Sequence, residues 1–248
     1  MGLADLHIHT TYSWDATSSV ASVLRYTAQR TNLDVIAITD HDRIDGALEA
    51  LDLASKYNLE VIPGIEVSSK QGHVLSLFVG ELIPAGLSME ETIMRTVEQG
   101  GICIIPHPMM KSSMGISPHY IRRALNNPEV AKGLIGIEMF NAGLAGAQRD
   151  QLAIYFADKL PLAKVGNSDA HVNFIIGKGA TKFPGHTAAE LRQALINRQT
   201  ESVGEHQMNW LDFFVRFMPR LFLRYTTSYI AWSNVLSKPL QHAKQDAF

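Results

Sequence analysis

The sequence predicts an α/β barrel of about eight strands followed by a C-terminal helical extension. Three observations point there. Short β-rich runs alternate with helical patterns from the start to about residue 200, the arrangement that gives parallel strands joined by crossover helices. The number of such runs favours a closed barrel over an open sheet. With 248 residues and 46% hydrophobic composition, the chain can bury the core of one large domain with a small extension, here residues 1–203 and 204–248.

In chain order the strands are expected at 3–8, 35–39, 60–65, 74–79, 102–105, 134–140, 162–165 and 179–183. Helical patterns separate most of them, at 20–30, 44–57, 89–99, 118–126, 148–159 and 188–198. Ser88 with Glu91, and Thr187 with Glu190, are capping boxes that satisfy free backbone N–H groups at two of these helix starts. One connection breaks the alternation. Glu66 and His73 are joined only by residues 67–72, too few for a crossover helix, so a direct turn is expected and the barrel is irregular there.

Beyond the barrel the pattern changes. Residues 210–236 are dense in aromatics and leucine. Arg216, Arg220 and Arg224 form one stripe on a helix, with Phe214, Met218, Leu221, Phe222, Tyr225, Tyr229 and Trp232 opposite. Pro219 is expected to end one helical segment or start the next. Packing of the apolar face on the barrel is the plainer expectation; a homodimer or membrane-surface contact through 210–236 is the sharper one.

Composition narrows the function classes. A net charge of −2 and a pI near 6.5 imply no strongly basic surface, so no stable nucleic-acid complex is expected. Cys103 is the sole cysteine, which excludes an internal disulfide and leans towards a reducing compartment; within its apolar run it reads as a small buried hydrophobe. The first residues lack the basic and apolar regions of a signal peptide, and no uncharged stretch is long enough to span a bilayer, so a cytoplasmic location is expected.

The chemistry is concentrated at strand ends. His7 and His9 are two apart on a strand and project from one face. Asp40, His41 and Asp42 end the second strand, Glu66 the third; His73 begins the fourth, His107 follows the fifth between two prolines, and Asp169 and His171 follow the seventh. Each alone reads as a polar strand end. Together, in a barrel, they converge on one mouth, where active sites are built. Imidazole and carboxylate without thiolate suit zinc, manganese or iron better than calcium or magnesium. With Asp15 the candidates number nine, more than one ion can take, so two or three divalent ions (Mn, Zn or Fe) are implied.

The run Asp5-Leu6-His7-Ile8-His9-Thr10, then Thr39-Asp40-His41-Asp42, Pro63-Gly64-Ile65-Glu66, Gly72-His73, Pro106-His107-Pro108 and Asn167-Ser168-Asp169-Ala170-His171 resembles the PHP (polymerase and histidinol phosphatase) superfamily over roughly residues 3–200. The resemblance implies a distorted (β/α)7 TIM-like barrel with a trinuclear metal centre. Carried over motif by motif, it implies one ion held by His7, His9, Glu66 and Asp169, a second by Glu66, His73 and His107, and a third by Asp15, His41 and His171. The family reads Ser-Asp-Gly where this chain has Ser13-Trp14-Asp15-Ala16, a one-residue departure that bears on Asp15. Asp40 is expected behind the ligands, orienting a histidine.

The reaction so implied is attack on a phosphoester by a metal-bridging hydroxide, with Glu66, Asp169 and His171 as the catalytic residues. Arg43, Lys111, Glu138, Asn141 and Lys178 are the candidates for substrate contact, Glu138 and Asn141, at the end of the sixth strand, being equally placed to contact the ligand histidines from behind. The substrate class implied is a small nucleotide-like phosphoester: a nucleoside monophosphate, a 3′,5′-bisphosphate or a short RNA. The competing readings are an amidohydrolase, which wants a lysine at a strand end where this chain has Glu66; a non-catalytic PHP module, which would have lost ligands; and a membrane-associated regulatory protein acting through the aromatic and arginine segment 210–236.

Overall fold

In the computed structural model, which describes residues 1–110, 112, 114–143, 151–204 and 208–226, strands and helices follow one another as β1 (Gly2–Ile8), α1 (Val20–Arg30), β2 (Val35–Ile38), α2 (Asp45–Ala54), β3 (Glu60–Ser69), β4 (Gly72–Leu77), α3 (Met89–Glu98), β5 (Ile102–Ile105), α4 (Pro118–Leu125), α5 (Pro128–Ala131), β6 (Leu134–Asn141), α6 (Gln151–Asp158), β7 (Ala163–Asn167), β8 (Gly179–Phe183), α7 (Ala188–Ile196) and β9 (Glu201–Gly204). Both capping boxes form as the sequence requires: the Ser88 and Thr187 side chains accept from the backbone of Glu91 and Glu190, whose carboxylates accept in return.

The nine strands make one sheet in the order β7-β6-β5-β4-β3-β2-β1-β8-β9. β1, β2 and β3 run parallel, as do β5, β6 and β7. β3 and β4 form the expected hairpin, antiparallel from Gly64↔Leu77 to Ser69↔Gly72. The first residues of β4 therefore lie at the same mouth as the last residues of its neighbours. β8 also pairs antiparallel, with β1 on one side and β9 on the other.

The ends of the sheet come together and nearly close the barrel. The Thr181 hydroxyl of β8 donates to the Gly166 carbonyl of β7 at 2.9 Å and accepts from its N–H at 3.2 Å. Such an approach needs a glycine: a Cβ on Gly166 would lie 2.6 Å from the Ala180 carbonyl oxygen. At the mouth, Ile8 bridges Ala170 in parallel, and His9 N–H donates to the Ala170 carbonyl at 2.9 Å.

Two apolar layers hold this frame. Ala4, Leu6, Val35, Ala37, Ile62, Leu75, Leu77, Ile104, Val165 and Phe183, drawn from strands around the barrel, fill its interior with Leu191 and Leu195 of α7. The alternate faces of β4, β5 and β6 (Val74, Cys103, Ile105, Leu134, Ile137) pack outward on Met89 and Ile93 of α3 and Ile121 of α4. Burial pushes the Cys103 thiol up to about 12, so the cysteine is a packing residue.

The chain divides into two compact units, Met1–Asn209 and Trp210–Phe248. The second begins with helix over 210–226, containing a π-helical stretch at Phe213–Phe217. Pro219 neither ends nor starts a segment here. It sits just past the wide turn, whose Met218 N–H donates to the Phe213 carbonyl, and the helix continues through it. Arg216 lies 3.2 Å from Asp212, one turn earlier. Tyr229 and Trp232 of the expected apolar stripe lie outside the described residues, and no helix among the described residues is long and apolar enough to cross a membrane.

Candidate metal centre

Glu66 is the hub of the barrel mouth. Its Oε2 lies 3.0 Å from His7 Nε2, 3.1 Å from His9 Nε2 and 3.3 Å from His41 Nδ1; its Oε1 lies 2.7 Å from His73 Nδ1 and 3.0 Å from His107 Nε2. Asp169 approaches from the other side, its Oδ1 3.4 Å from both His7 and His9 and 3.5 Å from His171. Asp15 Oδ2 completes the ring, 3.4 Å from His41 and 3.1 Å from His171. The one-residue departure at Trp14 does not carry Asp15 away from the cluster. All nine candidate ligands are thus gathered in one place.

These side chains group by the reach of one ion: His9, Asp15, His41 and His171; His7, His9 and Glu66; His7, His107 and Asp169; His41, Glu66 and His73, with the potential ligand atoms of each group within 4.8 Å of one another. His73 and His107 face the same oxygen of Glu66 but fall in different groups. The donor set is what a divalent transition ion takes. Three buried atoms here, His9 Nε2, Asp15 Oδ1 and His107 Nδ1, make no well-formed hydrogen bond among the described residues, as expected of atoms shaped for a cation.

A second layer fixes how the imidazoles face. The Ser13 hydroxyl donates to Asp40 Oδ1 at 2.9 Å and accepts from His41 N–H at 2.9 Å. Its proton being spent on Asp40, Ser13 must accept from His9 Nδ1 at 3.0 Å, which leaves the His9 Nε2 lone pair facing Glu66. Asp40 also receives Thr10 N–H, the Thr10 hydroxyl and Ser13 N–H, so it orients the histidines through Ser13 rather than by touching them. Gly46 is required beside it, because a Cβ there would overlap Asp40 Oδ2.

Glu138 plays the same part on the other side. His7 Nδ1 lies 3.4 Å from its Oε1, which also receives Asn167 Nδ2 at 2.8 Å; its Oε2 receives His107 N–H at 2.6 Å and Asn141 Nδ2 at 2.9 Å. Asn141 spans the two layers, donating also to Asp169 Oδ2 at 3.1 Å. Of the two expectations for Glu138 and Asn141, contact with substrate is corrected and contact with the histidines from behind is what the structure shows: both are wholly buried.

Charge in this mouth is arranged in mutual support. Burial alone would raise the Glu66 carboxyl, but His7, His73 and His41 outweigh it and hold it well below the usual range. Asp169 is held well below for the same reasons, with His7 foremost among its partners. His7 is raised well above its ordinary value, since Asp169 and Glu66 overcome the desolvation that opposes its charge. His171 rises to about 9 through Asp15, against burial, and His41 rises through Glu66. His9 is lowered by burial and by the neighbouring His171 and His41. The backbone is strained at the same motifs: Asp42, His107 and Asp169 take φ of 53°, 26° and 50°, which non-glycine residues adopt at a cost of about 1–3 kcal/mol.

The remaining expectations divide. Arg43 is exposed at the rim, its Nε 3.1 Å from Asp45 Oδ2 and its guanidinium 5.7 Å from the Tyr12 ring centroid. Lys178 is corrected. It lines a cavity of about 290 Å³ with Leu3, Arg30 and Leu33, beside the start of β1, whereas His7 and His9 stand at the other end of that strand. Lys111 lies outside the described residues. Sequence reasoning missed Ser13, Asn167 and Gly46. Their signal was adjacency: each stands next to or within a ligand motif, or at the start of the helix that follows one.

The profile of the family described as "PHP domain" matches residues 5–217. An uncharacterized protein of Methanocaldococcus jannaschii is 40% identical over 149 residues, 56% of this chain and 81% of that one. A phosphoribosyl 1,2-cyclic phosphate 1,2-diphosphodiesterase of Eggerthella lenta is 36% identical over 89 residues, 34% of this chain and 33% of that one. Among solved structures, a two-domain protein from Bacteroides vulgatus containing a predicted PHP-like metal-dependent phosphoesterase superposes with a TM-score of 0.67 at 20% identity, covering 82% of this chain and 64% of that one. That last likeness is one of fold.

Proposed function

Since the chain belongs to the PHP domain family, we propose that it is a metal-dependent phosphoric ester hydrolase acting on a small nucleotide-like phosphoester, of the phosphatase or exonuclease type. The observation that carries this is the convergence of five imidazoles on the two oxygens of Glu66, with Asp169 and Asp15 beside them. The phosphodiesterase named among the relatives supports the same chemistry. Divalent ions, when bound, supply Lewis acidity at phosphoryl oxygens and acidify water.

The chain's own residues prepare that chemistry. In the proposal Glu66, His7, His9, Asp15, His41, His73, His107, Asp169 and His171 would hold the ions, with Glu66 offering its two oxygens to different sets of histidines. Glu66, Asp169 and His171 are the proposed catalytic residues: two carboxylates kept anionic inside the histidine cage, and the imidazole on its solvent side. Ser13 and Glu138 present the Nε2 atoms of His9 and His7 inward. Arg43 at the rim is the proposed cation for a substrate phosphate.

Metal analysis of the purified chain, with a panel of phosphomonoesters and nucleotides assayed under Mn, Zn and Fe, tests the reading. Two or three ions per chain and ester cleavage lost in His9→Ala are expected. If the metal-loaded chain cleaves no ester, or if His9→Ala matches wild type, the reading fails. Asp15→Ala is expected to remove about one ion per chain, since Asp15 meets only the His41 and His171 side of the cluster; unchanged stoichiometry in mass spectrometry of the native protein would take Asp15 off the ligand set.

A further inference from the structure

The geometry points to Trp14 as a stacking platform for the nucleobase of the substrate, an inference that rests on the phosphoesterase reading and narrows it. Trp14 is 66% exposed, an unusual state for the largest apolar side chain. Its place is specific. The next residue, Asp15, reaches His41 and His171, and the indole lies 6.4 Å from the His41 ring with the two planes 22° apart. An aromatic face thus stands in solvent at the edge of the cluster that would take the phosphate. In a nucleotide the base is one sugar away from that phosphate.

The loop that carries Trp14 is held before any ligand arrives. Thr10 N–H and Ser13 N–H both donate to Asp40 Oδ1, Thr11 N–H donates to the Ser18 carbonyl, and Thr17 N–H donates to the His171 carbonyl. A ring presented on a fixed loop loses little freedom on binding. Every base has a π-face, so stacking here selects nucleotides over other phosphoesters without selecting one base.

Adenosine 5′-monophosphate and ribose 5-phosphate share phosphate and sugar and differ by the base, so they isolate the platform. On the metal-loaded full chain, Trp14→Ala is expected to lower the ratio of their kcat/KM values by about 5- to 150-fold, and Trp14→Tyr to restore most of it. The nucleotide, and not the sugar phosphate, should quench indole emission in wild type, and Trp14→Tyr should lose that quench although Trp210 and Trp232 remain. An equal fall for both esters would make Trp14 a mere support for His41 and Asp15 and overturn the inference. An unchanged ratio would overturn it too, and a change of association state in sedimentation alongside it would assign the indole to a second copy of the chain. If wild type cleaves no ester of the wider panel either, the phosphoesterase reading fails, while the quenching comparison still decides the platform.

Discussion

Replacing Glu66 by alanine is expected to abolish ester cleavage and to lower metal affinity by more than about 100-fold, beyond what loss of an outer partner causes. Five imidazoles meet this one carboxylate, three at Oε2 and two at Oε1. Without it the rings face one another: His9 and His41 stand 4.5 Å apart by centroid, His9 and His171 4.1 Å. Removing one partner from a buried charged set costs about 3–5 kcal/mol. The cost here falls towards the lower figure, because imidazoles can shed protons when their counter-charge goes. At about 2–4 °C per kcal/mol for a domain of this size, a fall in Tm of about 6–12 °C is expected for the metal-free protein. Glu66→Gln separates the two effects, since it keeps the volume and removes the charge. It should lose ions and activity while losing less stability. If Glu66→Gln keeps its metal content and its kcat/KM, Glu66 is not a ligand of the ions.

The parts of this centre that could be read in the sequence are those set by the chain's own direction. A β-strand that delivers a histidine or acid where it leaves the core announces both the strand and its end, so Asp40, His41, Glu66, His107, Asp169 and His171 were legible with the strands that carry them. The hairpin was legible because residues 67–72 leave no room for a helix. What depends on pairing across the barrel was not. β9 is Glu-Ser-Val-Gly, with no apolar pattern of its own; it is a strand because β8 offers it a free edge. Nothing local says that β8 meets β1 antiparallel, nor that Lys178, just before β8, stands beside the start of β1 rather than at the histidines. Glu138 and Asn141 ended their strand as the ligands ended theirs, which left contact with substrate and contact with the histidines both open; only the fold decides for the second. Pro219 was misread because a proline's effect depends on the turn before it, and a π turn gives it room.

Glu138 is where the buried layer can be tested without touching a proposed ligand. Its two oxygens each receive two groups: Asn167 Nδ2 and His7 Nδ1 at one, His107 N–H and Asn141 Nδ2 at the other. A glutamine cannot replace it, because whichever way the amide turns, its NH2 meets N–H donors with nothing to accept from them. Burial raises the Glu138 carboxyl, but His7 and His107 overcome this and keep it low, so the site is built for the anion. Glu138→Gln should therefore turn both His7 and the His107 backbone away from their present directions, and metal affinity should fall by about 10- to 100-fold. The loss differs in kind from that of Glu66. The ligands remain, so activity in Glu138→Gln should return as the concentration of free metal is raised, whereas Glu66→Ala should stay inactive at any concentration. Titrating activity against buffered metal in the two variants distinguishes an orienting carboxylate from a coordinating one. Wild-type affinity in Glu138→Gln would mean that His7 and His107 are held by the barrel alone; a loss that no metal concentration reverses would move Glu138 from the outer layer into the ligand set.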